Sequence, residues 1–178
     1  MYPVELRGTQ VRLRDVRAAD EDWLLAIVGD DTVTRWLSFD SRSRDDVRGM
    51  LSAAAERSTR DPREDYYLGV VEPATDDLVG LAMLSLAGVK AGKLGYAVRA
   101  ASWGRGYATD AARTLVDFGF QKVGLHRISA AIGPDNTASL AVVERLGFQY
   151  EGRIRDHVFT NGGWRDSLLY SVLENDWS

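Results

Sequence analysis

The feature that most constrains this chain is a change in the period of its hydrophobic pattern at Gly104-Arg105-Gly106. Ahead of that turn, from about Lys93 to Arg99, the pattern reads as a strand; after it, apolar residues return every three to four positions. Alternation marks a half-buried strand and the longer spacing an amphipathic helix. The chain therefore runs from a strand through a small-residue turn into a helix over 107–121. The inner face of that helix is expected to be Ala108, Ala111, Ala112, Leu115, Phe118 and Gly119, with Asp110, Arg113, Thr114 and Asp117 outside. A helix N-terminus leaves backbone N–H groups unpaired and carries positive partial charge. Glycines let an anion approach those donors, and Arg105 adds a charge-assisted one. The turn reads as a pyrophosphate seat; its plain alternative is an ordinary capping turn.

Upstream, Val11, Leu13 and Val16 sit among Arg12, Arg14 and Arg17, which predicts a half-buried strand. Asp20, Glu21 and Asp22 place negative charge where a helix begins, and Trp23, Leu24, Ile27 and Val28 give it an apolar stripe. Ser43 is the expected N-cap of a second helix carrying Val47, Met50, Leu51, Ala54 and Ala55 at helical spacing. Tyr66 to Val71 and Leu78 to Leu86 read as strands joined by turn residues. The second is apolar on both alternations and should be covered on both faces. Arg127 to Ile132 is a further strand. Pro134-Asp135-Asn136 opens a short helix that Gly147 stops, with Phe148 folding back on Val143 in a Schellman motif. Asn161-Gly162 is a hairpin signal between two last strands, the second over Trp164 to Leu173. The order predicts a mixed α/β (α+β) layer fold, and 178 residues predict one domain over 1–178.

Composition removes several functions. There is no cysteine, and the histidines are His126 and His157, so disulfides, thiol nucleophiles and thiolate metal sites are excluded. No carboxylate spacing points to a metal either. The net charge is −4, with 22 basic residues interspersed among 26 acidic ones, which disfavours a nucleic-acid partner. The first fifteen residues lack an apolar signal region, and the longest apolar stretch, Leu78 to Val89, is broken by Gly80, Ser85 and Gly88. A cytoplasmic protein without membrane contact is expected. A Walker loop would need Gly-Lys-Ser/Thr, and the dinucleotide fingerprint would need a small residue where Thr109 stands and an acid near Ser129.

Gly104-Arg105-Gly106-Tyr107-Ala108-Thr109 resembles the acetyl-CoA loop of the GNAT acetyltransferase superfamily. Leu125-His126-Arg127-Ile128, Pro134-Asp135-Asn136-Thr137-Ala138-Ser139, Leu146-Gly147-Phe148, Glu151-Gly152 and the tail Asn161-Gly162-Gly163-Trp164-Arg165-Asp166 are similar to its RimJ/RimL-type branch. The resemblance implies a seven-stranded, mostly antiparallel sheet splayed between its fourth and fifth strands, with helices on both faces. It implies acetyl transfer from acetyl-CoA to a primary amine, either the α-amino group of a protein or peptide or a small-molecule amine. A non-catalytic CoA-binding module, or a transferase using a longer acyl-CoA or an aminoacyl-tRNA, is the alternative. The chain is compatible with a homodimer.

On that resemblance the pantetheine arm pairs with Ala97, Val98 and Arg99, and the Val98 N–H stabilises the oxyanion, a contribution of about 3–4 kcal/mol. Gly104, Arg105, Gly106, Tyr107, Ala108 and Thr109 hold the pyrophosphate, and Asn136 contacts the arm. Ser139 protonates the leaving thiolate, or else is a first-turn serine satisfying nearby backbone. Trp36 and Phe39 contact the acceptor, or else plug the core; Asp40 attracts a cationic amine or caps a turn.

Two positions depart from the family. The residue four after Ser139, often tyrosine, is Val143, and the glutamate often found before Leu94-Gly95-Tyr96 is Lys93. Asp156, His157 and Glu72 are the substitute bases, and the first two are also candidate acceptor contacts. Without the usual base, an acceptor amine with pKa ~8 costs about 1 kcal/mol to deprotonate at pH 7, against about 4.6 kcal/mol for a lysine-type amine. An α-amino or similarly weak base is the expected acceptor.

Overall fold

The structure is a computed structural model and describes residues 2–178. Its eight strands are β1 (Glu5–Arg7), β2 (Arg12–Asp15), β3 (Asp65–Glu72), β4 (Asp77–Leu86), β5 (Ala91–Val98), β6 (Arg127–Ile132), β7 (Gln149–Thr160) and β8 (Gly163–Leu173). They form one sheet in the order β1-β2-β3-β4-β5-β6-β8-β7. Only β5 and β6 are parallel neighbours among the described residues. The sheet has eight strands, not the expected seven. The extra one, β1, is a three-residue edge strand paired with β2, too short to show a period.

The helices are α1 (Glu21–Val28), α2 (Asp31–Thr34), α3 (Arg44–Ser58), α4 (Tyr107–Phe118) and α5 (Thr137–Arg145). One core layer joins the sheet to Ala111, Leu115, Val142 and Val143 of α4 and α5. The other joins it to Leu24, Ile27, Val47, Leu51 and Ala54 of α1 and α3. β4 contributes Val79, Ala82 and Leu84 to the first and Leu78 and Leu81 to the second, which explains its apolar residues on both alternations. Ser43 caps α3 by accepting from the Asp46 N–H, and Asp46 returns the bond to the Ser43 N–H. α5 ends as expected, with Gly147 N–H on the Glu144 carbonyl and Phe148 N–H on that of Val143.

The polar face of α4 departs from expectation. Asp110 and Thr114 are buried. The Asp110 carboxylate accepts from the N–H groups of Thr9, Gln10 and Val11, at 3.0, 2.6 and 3.0 Å. The β1–β2 turn therefore sits on the helix, and helical spacing alone could not reveal a partner 100 residues away.

The feature that builds the site is the parting of β5 from β6. They pair only at Ala91–Arg127, Gly92–Ile128 and Lys93–Ser129. Beyond Lys93, β5 stays on β4 as far as the Gly80–Val98 pair, while β6 stays on β8 as far as Ile132–Leu168. Each strand keeps one neighbour and leaves the other, opening a wedge in the sheet.

Candidate active site

Backbone lines one wall of the wedge. The Arg99 N–H donates to the Val79 carbonyl at 2.9 Å. Along an antiparallel pair, successive residues direct their backbone groups to opposite edges. Val98, one position back and opposite Gly80, therefore aims its N–H and C=O into the wedge. Its carbonyl accepts from the Trp103 indole N–H at 2.7 Å. Ala97 and Arg99 are in the other phase and turn their backbone bonds toward β4. Of the three residues expected to pair with the pantetheine arm, Val98 faces the opening. The Arg99 guanidinium lies over Trp23, at 5.4 Å, and its Nε donates to Ser102 Oγ at 2.8 Å; it does not line the cleft.

The cleft that continues from the wedge has a volume of about 560 Å3. Ala97, Val98, the whole turn from Gly104 to Thr109, Asn136 and Ser139 line it. Gly106 caps α4 at φ 82°, with no side-chain cap on the first turn. That left-handed backbone suits glycine, and the amides of the first turn have no helical acceptors. Val33, Trp36 and Leu37 close the other wall. They are delivered by α2 and the turn after it, an element too short to register in the periodicity; Asp30 caps it by accepting from the Thr32 N–H at 2.9 Å.

A second cavity, of about 170 Å3, opens beside the first and is lined by Trp36, Phe39, Tyr67, Met83, Leu94 and Arg165, among others. Trp36, Leu37, Tyr96, Ala97, Asn136 and Ser139 line both. At this junction Asn136 Oδ1 accepts the Ser139 N–H at 3.1 Å, leaving its NH2 end for the cleft. The Tyr96 and Ser139 hydroxyls are 2.8 Å apart, and the Tyr96 hydroxyl lies 3.2 Å from the Ser139 carbonyl. Burial pushes the Tyr96 phenol up to about 12, against the smaller opposing effect of Ser139, so it holds its proton at neutral pH. The sequence alone gives Tyr96 no role. Its motif was visible, but nothing in the order of residues shows that β5 and α5, 43 residues apart, meet through their hydroxyls.

The substitute bases lie elsewhere. Lys93 is exposed. Glu72 accepts from the Tyr107 hydroxyl and from Thr75 Oγ1, which hold its carboxyl below the usual range, and it lines neither cavity. Asp156 and His157 also lie outside both cavities. A register slip in β7 between Ile154 and Val158 turns them out, with the Asp156 N–H on Asp166 and His157 Nδ1 2.9 Å from Ser167 Oγ. Phe39 lines the second cavity beneath the Arg42 guanidinium, 4.8 Å from its ring. Asp40 accepts from the Asn161 N–H (2.7 Å) and Thr160 Oγ1 (2.9 Å), so it ties the α2–α3 loop to the β7–β8 hairpin; those bonds hold its carboxyl low.

Among the described residues no helix is long and apolar enough to cross a membrane. The family profile described as Acetyltransferase (GNAT) domain matches residues 10–149, and the chain belongs to that family. It is an acetyltransferase enzyme. A Bacillus subtilis (strain 168) protein, "Probable N-acetyltransferase YjcK", is 33% identical over 132 residues, covering 72% of each chain. The Escherichia coli (strain K12) "[Ribosomal protein uS5]-alanine N-acetyltransferase" is 29% identical over 116 residues, 64% of this chain and 60% of that one. The solved structure of Mycobacterium smegmatis RimJ in complex with CoA-disulfide superposes with a TM-score of 0.84 at 25% identity, covering 97% of this chain and 88% of that one.

Proposed function

We propose that this chain is an acetyl-CoA-dependent N-acetyltransferase acting on a weakly basic primary amine, such as an α-amino group. The observation that carries the reading is the junction of the two cavities at Tyr96, Ala97, Asn136 and Ser139, beside the wedge into which Val98 points its N–H. The residues fit the coenzyme. A wedge between two strands suits an extended amide-bearing arm, and the uncapped amides after Gly106 suit a diphosphate. The related RimJ structure carries a CoA derivative, which supports the assignment.

Bound acetyl-CoA supplies a thioester carbon for direct attack by the amine. The Val98 N–H, fixed by pairing of β5 to β4, is a preorganised donor for the oxygen on which negative charge grows, an effect of about 3–4 kcal/mol. Ser139 donates a proton at the departing sulfur and regains one across its 2.8 Å contact with the Tyr96 hydroxyl, which in turn takes back from water the proton that the amine released. Trp36 and Phe39 wall the acceptor cavity. Among the described residues its lining contains no carboxylate and no imidazole, so amine deprotonation falls to water. That favours an amine of low pKa over a lysine-type one. The uS5-alanine activity of the E. coli relative is in keeping with an α-amino acceptor.

The test is CoA binding by calorimetry together with CoA release over a panel of α-amino and lysine-type acceptors. Binding and turnover are expected, with kcat/KM favouring the α-amino group at pH 7. No affinity for CoA would refute the reading, and a clear lysine preference would refute the acceptor class.

A further inference from the structure

Arg165 is the only charged residue that lines the acceptor cavity among the described residues. Among the described residues it has no acidic partner; its Nη1 donates to the Leu37 carbonyl at 3.1 Å. Its Nε is buried and unpaired. The guanidinium lies flat against Gly133, where a Cβ would come within 3.1 Å of Cζ and Nη1, so the absence of a side chain at 133 makes its seat. The rest of the lining is mainly apolar and aromatic, with Val28, Phe39, Met50, Leu81 and Met83 around it. Nη2 and the second Nη1 hydrogen are the donors left for a ligand, and a half-buried guanidinium presents such a pair to a planar oxyanion in a bidentate manner. A polycationic amine would meet a like charge and no counter-ion.

We propose that Arg165 recognises a free carboxylate on the acceptor, and that the acceptor class is a small α-amino acid with an apolar side chain. This rests on the reading of the chain as an amine acetyltransferase and deepens it; the amine of a free amino acid is more basic than a peptide's α-amino group, so the carboxylate contact has to offset a costlier deprotonation. Arg165, Ser139 and Tyr96 line the same cavity, so a carboxylate held at Arg165 keeps the amine of a short molecule in the space that the junction residues share. A peptide N-terminus offers an amide at the same place and gains no charge-assisted bond.

The test compares leucine, methionine and phenylalanine with their carboxamides, by CoA release and by binding in the presence of CoA. The proteins are wild type, Arg165→Gln and Arg165→Lys. Because the carboxamides are weaker bases, the quantity read is the change between proteins in the acid-to-amide ratio of kcat/KM, from which intrinsic reactivity cancels. Arg165→Gln should lower that ratio about 10-fold or more, mostly through KM, and Arg165→Lys by less, as expected for loss of a charge-assisted pair. An unchanged ratio in Arg165→Gln would overturn the assignment, and so would amino acids that neither bind nor react. CoA affinity and melting temperature, measured on the same samples, separate the outcomes. Retained CoA binding without acid-to-amide discrimination defeats only the Arg165 assignment, whereas no CoA binding by wild type defeats the reading beneath it.

Discussion

At the scale of single residues, the proposed mechanism gives the hydroxyl pair Tyr96–Ser139 the closing proton transfer. Ser139→Ala should lower kcat by about 10²-fold, the usual size of a general-acid contribution, with CoA affinity nearly unchanged. Steady-state kinetics beside calorimetry checks both. Since burial holds the Tyr96 phenol near 12, Tyr96→Phe should lower kcat by less and leave the shape of its pH profile between pH 6 and 10 unaltered. A second residue-scale effect lies on the sheet. Glu151 is drawn down to about 2 by a two-pronged bond from Arg127, both contacts at 2.5 Å, and then by Ser171. Its folded value is below its unfolded one, so the stabilisation is complete above about pH 4.5 and is lost as pH falls toward 2. Both side chains are about one-third exposed, which limits the gain to about 1 kcal/mol or less. Denaturant titrations of Glu151→Gln should show that difference at pH 7 and its disappearance in acid.

At the scale of elements, α4 does two jobs with opposite ends of its first turn. Its uncapped amides face the cleft, while Asp110 on the far side clamps the β1–β2 turn through three backbone N–H groups. Asp110→Ala leaves those donors without their charged acceptor and should cost about 3 kcal/mol in chemical denaturation. The long periodic elements were legible in the residues. Ser43 announced α3, the stripe after Gly106 announced α4, and Asn161-Gly162 announced the last hairpin. What stayed hidden was what periodicity cannot carry. β1 and α2 are shorter than one period of evidence, and Asp110 reads as a solvent residue because its helix position is polar. Trp36 and Phe39 were named from the family pattern, and the wall they form follows from α2. Nothing in the motif around Arg165 signals its place in the cavity, because its contact with Leu37 spans 128 residues.

For the whole molecule, the wedge is a standing defect in an otherwise continuous sheet, held open by β4 on one side and β8 on the other. A ligand that fills it binds the folded state alone and stabilises it by about 2.7 kcal/mol at 100 times its Kd. Hydrogen exchange should show the result locally, with CoA slowing the Leu94–Val98 amides that face β6 more than the Gly80–Leu86 amides already paired in the sheet. Equal slowing throughout would mean that the molecule tightens globally and that the wedge is not where the arm lies.

The indole that bonds the Val98 carbonyl has a further consequence. Trp103 is 46% exposed at the mouth of the opening, and its N–H is fixed on the carbonyl of Val98, the residue whose N–H is the proposed oxyanion donor. Its emission is therefore a built-in optical gauge of occupancy: comparing quenching curves of the native chain with those of Trp103→Phe would isolate the signal from the four remaining tryptophans and follow loading without any label.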